Sequence, residues 1–356
     1  MKQFLAIGCL FLGGLVRAEE PRKALPPAQV KEAFLKLLDR PKLDMDVKVL
    51  SEPKAEGGLI TEHFSFASEK KADGSIERVP ILLVRPEARG KLPAVIVLHG
   101  TGGNKEGQKS WLVDLAKRGI IGLAIDARYH GERAGGAKGS SAYVAAITRA
   151  WRTPKDQPSE HPFYYDTCWD LWRTLDYLHT RPDVDPERLG MLGTSMGGIE
   201  TWLAASVDER VKVAVPLIGV QSFRWSLENE RWQGRARTIA AAHDAAAKDL
   251  GEPMVNAKVC RALWGKVIPG ILDDFDCPNM IRLFGGRPLL IANGELDPNC
   301  PIEGARLAFK AAEDAFAKAG AKEKLKIVTG PGGHTVTPEF RQQALGWCEK
   351  WLGQRQ

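Results

Sequence analysis

The chain has 356 residues, 44% hydrophobic, 26% charged and 8% aromatic. That mix is too apolar for a disordered chain and too charged for a multi-span membrane protein. The formal charge of +6 is scattered, with no run of five or more basic residues, which argues against a nucleic-acid footprint. Six cysteines in a chain of this length are not a disulfide scaffold.

Lys2, the apolar run FLAIGCLFLGGLV at 4–16 and the small-residue site ending at Ala18 form the pattern of a secretory signal peptide over residues 1–18. The alternative is an N-terminal membrane anchor, but the apolar run is shorter than the ~20 residues a span requires. Cleavage after Ala18 removes Lys2 and Arg17 and lowers the charge from +6 to +4. It leaves Cys168, Cys260, Cys277, Cys300 and Cys348. In an oxidising compartment an odd number leaves at least one free thiol and allows a disulfide. The expected location is periplasmic or secreted, with no membrane attachment after cleavage.

Residues 19–57 are rich in Pro and Lys and read as an N-terminal extension with one amphipathic surface helix at 30–38. Strands are expected at 59–66 and 79–85, with Gly74 in the turn between them. The period then changes. Short continuous apolar runs at 93–98, 120–125, 188–192, 211–217 and 288–292 have the character of strands buried on both faces. A further strand is expected at 325–328. Helical spacing falls at 111–118, 143–151, 163–180, 197–205, 305–318 and 339–352. Strands alternating with helices imply an α/β fold: a mostly parallel sheet covered on both faces, with an antiparallel N-terminal edge. The stretch 219–287 interrupts the alternation with mostly helical sequence. It reads as a cap inserted over the C-terminal edge of the sheet, where open α/β sheets place their sites. The single α/β domain expected around it runs from 58 to 356.

Gly193-Thr194-Ser195-Met196-Gly197 fits G-x-S-x-G between a short strand and a helix. A sharp strand-to-helix turn strains the serine backbone and lifts its Oγ to the sheet edge, and small flanking residues avoid collisions. A serine hydroxyl needs a base. Of seven histidines, His334 stands in a Gly-rich loop just after the last strand and before the last helix. The base needs an orienting acid. Asp297, at the end of the 288–292 strand, is the candidate; Glu295, Asp273, Asp274 and Asp276 compete. For the oxyanion of acyl transfer, the expected donors are the backbone N–H of Met196 and that of Thr101, with Gly102 as second choice for the latter. His99 is expected to brace that loop. No H-E-x-x-H, C-x-x-C or H-x-x-H spacing occurs, and no G-x-G-x-x-G follows a strand, so neither a metal nor any other cofactor is expected.

The segments HGTGGNKEG (99–107), DARYHGER (126–133), GTSMGG (193–198), ANGELDPNCP (292–301) and GPGGH (330–334) resemble the α/β-hydrolase superfamily. More narrowly they resemble its dienelactone-hydrolase, acetyl-xylan-esterase and prolyl-oligopeptidase-like branch. The resemblance spans about residues 59–352. It implies an α/β-hydrolase fold with Ser195 as nucleophile, Asp297 as acid and His334 as base. It also implies Met196 and Thr101 as oxyanion donors, and the 126–133 motif as pocket floor, which makes Tyr129 a candidate substrate contact. Dienelactone hydrolases use a cysteine nucleophile, so the serine points away from that reaction. In the cap, Trp232 and Arg235 share a helix face at i, i+3 and are further candidates for substrate contact; the competing reading is helix packing. The expected function is an exported serine esterase working through an acyl-enzyme. Its substrate would be a small-molecule or oligosaccharide ester, with acetyl or other carbohydrate esters as one option. The alternatives are a serine peptidase of the prolyl-oligopeptidase-like type, which needs an anchor for the substrate amine, and a non-catalytic binding module.

Overall fold

The computed structural model describes residues 25–353; the expected signal peptide lies outside them. Helix α1 (Pro27–Leu38) starts with a proline at its first position, whose fixed φ is preorganised for a helix. Val30, Phe34 and Leu38 fall four apart on one face and are all buried. Strand β1 (Lys48–Glu56) pairs antiparallel with β2 (Leu59–Lys70), and β2 with β3 (Ile76–Pro86). Gly74, in the β2–β3 turn, has φ of 85°, a left-handed conformation that suits glycine. β4 (Leu92–Leu98), α2 (Lys109–Ala116) and β5 (Ile121–Ile125) follow. Next come α3 (Ser141–Arg152), α4 (Tyr165–Thr180), β6 (Val184–Thr194), α5 (Met196–Val207) and β7 (Val211–Leu217).

Between β7 and β8 (Leu289–Gly294) the chain forms five short helices. They are α6 (Phe223–Glu228), α7 (Gln233–Arg237), α8 (Ala240–Asp249), α9 (Ala257–Val267) and α10 (Cys277–Ile281). Asp276 closes the base of this insert. Its carboxylate accepts from Ser222 Oγ and Phe223 N at one end and from Cys277 N at the other. The chain ends with α11 (Ile302–Lys318), β9 (Leu325–Gly330) and α12 (Pro338–Leu352).

Among the described residues nine strands form one sheet, in the order β1-β2-β3-β5-β4-β6-β7-β8-β9. From β5 to β9 every neighbouring pair is parallel, and β1, β2 and β3 add the antiparallel edge. The chain runs from β4 to one side for β5 and returns to the other for β6. That reversal opens a crevice at the C-terminal ends of β4 and β6. Apolar layers cover both faces of the sheet.

Two expectations change here. The helix at 30–38 is a core element: Phe34 meets Tyr165, Trp172 and Phe275 edge-on, with ring centroids 5.2, 6.1 and 5.1 Å away. All five cysteines among the described residues are free and buried, so the allowed disulfide is absent. Burial pushes the Cys260, Cys300 and Cys348 thiols up to about 12.

Candidate active site

Ser195 sits between β6 and α5 with φ of 57° and ψ of −111°, a strained geometry for a residue with a side chain. The turn closes only because its neighbours are glycines. A Cβ on Gly193 would lie 2.1 Å from Gly197 O, and one on Gly197 would lie 2.6 Å from Leu98 O. Ser195 N donates to Leu217 O at 2.9 Å, and Gly197 N to His99 O at 3.1 Å. The turn is thereby pinned to the ends of both flanking strands.

β8 and β9 are adjacent and parallel, so their C-terminal loops lie side by side. Glu295 N donates to Gly330 O and Leu296 N to Gly332 O, at 2.7 and 3.1 Å. This brings His334 over Asp297. His334 Nδ1 lies 2.7 Å from Asp297 Oδ2, and His334 Nε2 lies 2.7 Å from Ser195 Oγ. The carboxylate fixes the proton on Nδ1, which leaves Nε2 free to accept from the serine. Asp297 is buried, and its other oxygen accepts from Asn299 N and Cys300 N at 2.8 and 3.0 Å. The competing acids are committed elsewhere: Glu295 accepts from Thr329 Oγ1, Asp273 pairs with Arg224, and Asp276 caps α10.

The Met196 amide opens α5, and Thr101 follows β4. Among the described residues neither amide donates to another group. Thr101 borders the same cleft as Ser195 and His334. The loop carrying Thr101 is braced from behind. His99, buried, contacts Gly100 O through Nδ1 at 2.8 Å and accepts from Ala127 N through Nε2 at 3.1 Å. Burial lowers its pKa and keeps the ring neutral. Asp126 accepts from Lys105 N at 2.8 Å and from Glu132 N at 3.0 Å. The 126–133 motif therefore supports the Thr101 loop, and it does not line the cleft.

The cleft, about 860 Å³, is bordered by Asn299 and by residues that the motifs do not reveal: Trp111, Ser140, Ile218, Thr238 and Arg341 among them. The Arg341 guanidinium lies over the Trp111 ring at 3.9 Å and pairs with Asp114 at 2.7 Å. Trp111 falls in the apolar stripe of α2 and Arg341 on α12, so neither has a sequence signal beyond helical period. Of the 219–287 insert, Thr238 borders the cleft. The three residues expected at the substrate lie away from it. Tyr129 donates to Glu160 and stands between Lys71 and Arg149. Trp232 is buried and donates to Glu230 at 2.9 Å. Arg235 is buried behind the Asp297 loop. For Trp232 and Arg235 the i, i+3 spacing marks packing, not the cleft wall.

Asp297, Cys300 and His334 bring possible metal-ligand atoms within 4.8 Å of one another. However, Arg235 Nη2 lies 3.1 Å from Cys300 Sγ, and a cation there would face a guanidinium. His63, Glu106 and Glu132 form a second such group, which already holds the Lys105 ammonium through Glu106 and Glu132.

The acetyl xylan esterase family (AXE1) matches residues 65–223. YtaP of Bacillus subtilis strain 168, which carries the name of a hydrolase, is 25% identical over 290 residues, covering 78% of this chain and 84% of that one. Acetyl xylan esterase 1 from Thermoanaerobacterium sp. JW/SL YS485 superposes with a TM-score of 0.64 at 18% identity, over 91% of this chain and 93% of that one. A glucuronoyl esterase from Solibacter usitatus gives 0.62 at 17% identity, over 91% and 92%. The class is that of the carboxylic ester hydrolases built on the α/β-hydrolase fold. Within that class, residues 65–223 are similar to the acetyl xylan esterases.

Proposed function

We propose that the protein is an exported serine esterase in which Ser195, His334 and Asp297 act as a catalytic triad. The observation that carries this is the unbroken chain from Ser195 Oγ through the His334 ring to Asp297, at 2.7 Å on each side, opening on a cleft. Ser195 attacks the ester carbonyl and His334 takes its proton. The amides of Met196 and Thr101 receive the oxyanion, as donors with no competing acceptor do at little reorganisation cost. His334 then protonates the leaving alcohol. Water repeats the cycle on the acyl-enzyme.

The substrate we propose is a small or medium carboxylic ester, with acetyl or other esters of carbohydrates favoured. The cleft borders offer one indole, one guanidinium and several hydroxyls and amides, a set suited to a sugar ring and its hydroxyls. Among the described residues bordering the cleft there is no carboxylate to hold a substrate amine, which favours ester over aminopeptidase chemistry. Export rests on the 1–18 sequence pattern. Among the described residues, no helix is long and apolar enough to cross a membrane. Ser195→Ala is expected to lower turnover of p-nitrophenyl acetate by about 10³-fold or more and to abolish fluorophosphonate labelling. Undiminished turnover in that variant would remove the assignment. A panel of acetyl, longer acyl, aryl and glucuronoyl esters ranks the acyl groups.

A further inference from the structure

We infer that Arg235 is a positioning residue for this reaction: from α7 it clamps the loop that carries Asp297 and provides the counter-charge for that carboxylate. The inference rests on the triad reading above.

Arg235 is 1% exposed, and a guanidinium stays protonated even when buried. A buried charge needs compensation, yet no carboxylate bonds to it. Nη2 donates to Asn299 O at 3.3 Å and to Cys300 Sγ at 3.1 Å, and Nη1 to Tyr164 Oη at 3.4 Å. With its amide oriented to satisfy both neighbours, Gln221 accepts from Nε at 3.0 Å and donates to Asn299 O at 2.7 Å. The titratable groups around this centre are Tyr143 on α3, Tyr164 ahead of α4, Glu200 on α5, and Cys300, Asp297 and His334 on the two loops. Burial raises the Tyr143 and Tyr164 phenols and the Cys300 thiol, which leaves them uncharged near neutrality, and it raises the Glu200 carboxyl. The anion facing Arg235 is Asp297, across the backbone of Asn299 and Cys300.

The same loop is held a second way. A Cβ on Gly234 would lie 1.9 Å from Pro298 O, so the α7 backbone rests directly on the peptide after the acid. Residues 298–300 are thus gripped by Gly234, Arg235 and Gln221. Asp297 Oδ1 takes its two amides from Asn299 and Cys300. A shift of those amides turns Oδ2 away from His334. This gives the insert between β7 and β8 a role in the reaction although it hardly borders the cleft.

Two effects separate on substitution. Losing the fork frees the loop and lowers kcat. Losing the charge makes protonation of the His334–Asp297 pair easier, which moves the acid limb of kcat/KM to higher pH. The experiment measures kcat and KM for p-nitrophenyl acetate from about pH 5 to about pH 9 in wild type, Ser195→Ala, Arg235→Met, Arg235→Gln and Arg235→Lys, with circular dichroism to check folding. Arg235→Met and Arg235→Gln are expected to lose about 10–100-fold in kcat with KM within about threefold, and to shift the acid limb upward by about half a pH unit or more. Arg235→Lys is expected to keep the wild-type acid limb while still losing kcat. An inactive Ser195→Ala with an unmoved acid limb in the neutral variants overturns this inference and leaves the triad intact. An active Ser195→Ala overturns the triad itself. If neither neutral variant folds, a displaced acid limb in Arg235→Lys overturns the charge role.

Discussion

The strain at Ser195 is affordable because two neighbouring positions have no side chain. Gly197→Ala would drive a Cβ to 2.6 Å from the Leu98 carbonyl oxygen, backbone against backbone, with nothing flexible to yield. The variant is expected to lose about 3 kcal/mol of stability in urea unfolding, together with most of its turnover. Asp297 is predicted to be the acid. Asp297→Asn should lower kcat by about 10³–10⁴-fold with little change in KM, whereas Glu295→Gln should stay within about threefold. Equal losses in steady-state assays of the two variants would count against the choice. At this scale the sequence was most legible where chemistry demands a local pattern: Gly193, Ser195, Gly197 and the Gly-rich turn of His334 form short motifs. Trp111, Thr238 and Arg341 carry no such mark. They meet at the cleft through three separate elements, and their neighbours in sequence say nothing of it.

Helix α1 shows what periodicity says and does not say. Its apolar stripe at Val30, Phe34 and Leu38 is plain in the sequence, but a stripe names no partner. The structure lays it on α4 and α10, with Phe34 enclosed by three aromatic rings. Phe34→Ala is therefore expected to cost about 3–5 kcal/mol, measured by chemical denaturation; a loss under about 1 kcal/mol would return α1 to the surface. Strand β1 is the opposite case. Its side chains are exposed along the whole strand, so no buried face imposes an alternation, and Pro53 further masks it. The pairing with β2 supplies the backbone partners that make it a strand. Within the insert, aromatic and basic residues suggested a binding wall, whereas Trp232 and Arg235 are turned inward.

Across the molecule, a buried ionic network joins the antiparallel edge to the parallel sheet. Arg128 binds Asp170 and Glu69, and Arg133 binds Glu77 and Asp170. These contacts link β2, β3, the loop after β5, and α4. Burial opposes ionisation of Glu77, but Arg133 and Arg128, helped by Lys71, outweigh it and hold its carboxyl down to about 2, below its ordinary 4.5. Asp170 is likewise buried and held below the usual range by the same two arginines. A depressed pKa in the folded state contributes stability that is full above the unfolded value and is lost as pH falls through the folded one. Stability should therefore fall as pH drops from 4.5 toward about 2. Glu77→Gln is expected to cost about 3 kcal/mol at neutral pH and to flatten that slope in acid-unfolding curves; an unchanged slope would remove Glu77 from the account. By itself, the sequence determined the alternation of buried strands and helices, the serine elbow, and the order of the segments that carry Ser195, Asp297 and His334. Each depends on periods or motifs a few residues long. Tertiary structure alone decided which helix packs where, that the five cysteines of the described residues stay apart as thiols, and that Arg235 lies behind Asp297. Those outcomes depend on side chains brought together from distant parts of the chain, whose packing no local pattern encodes.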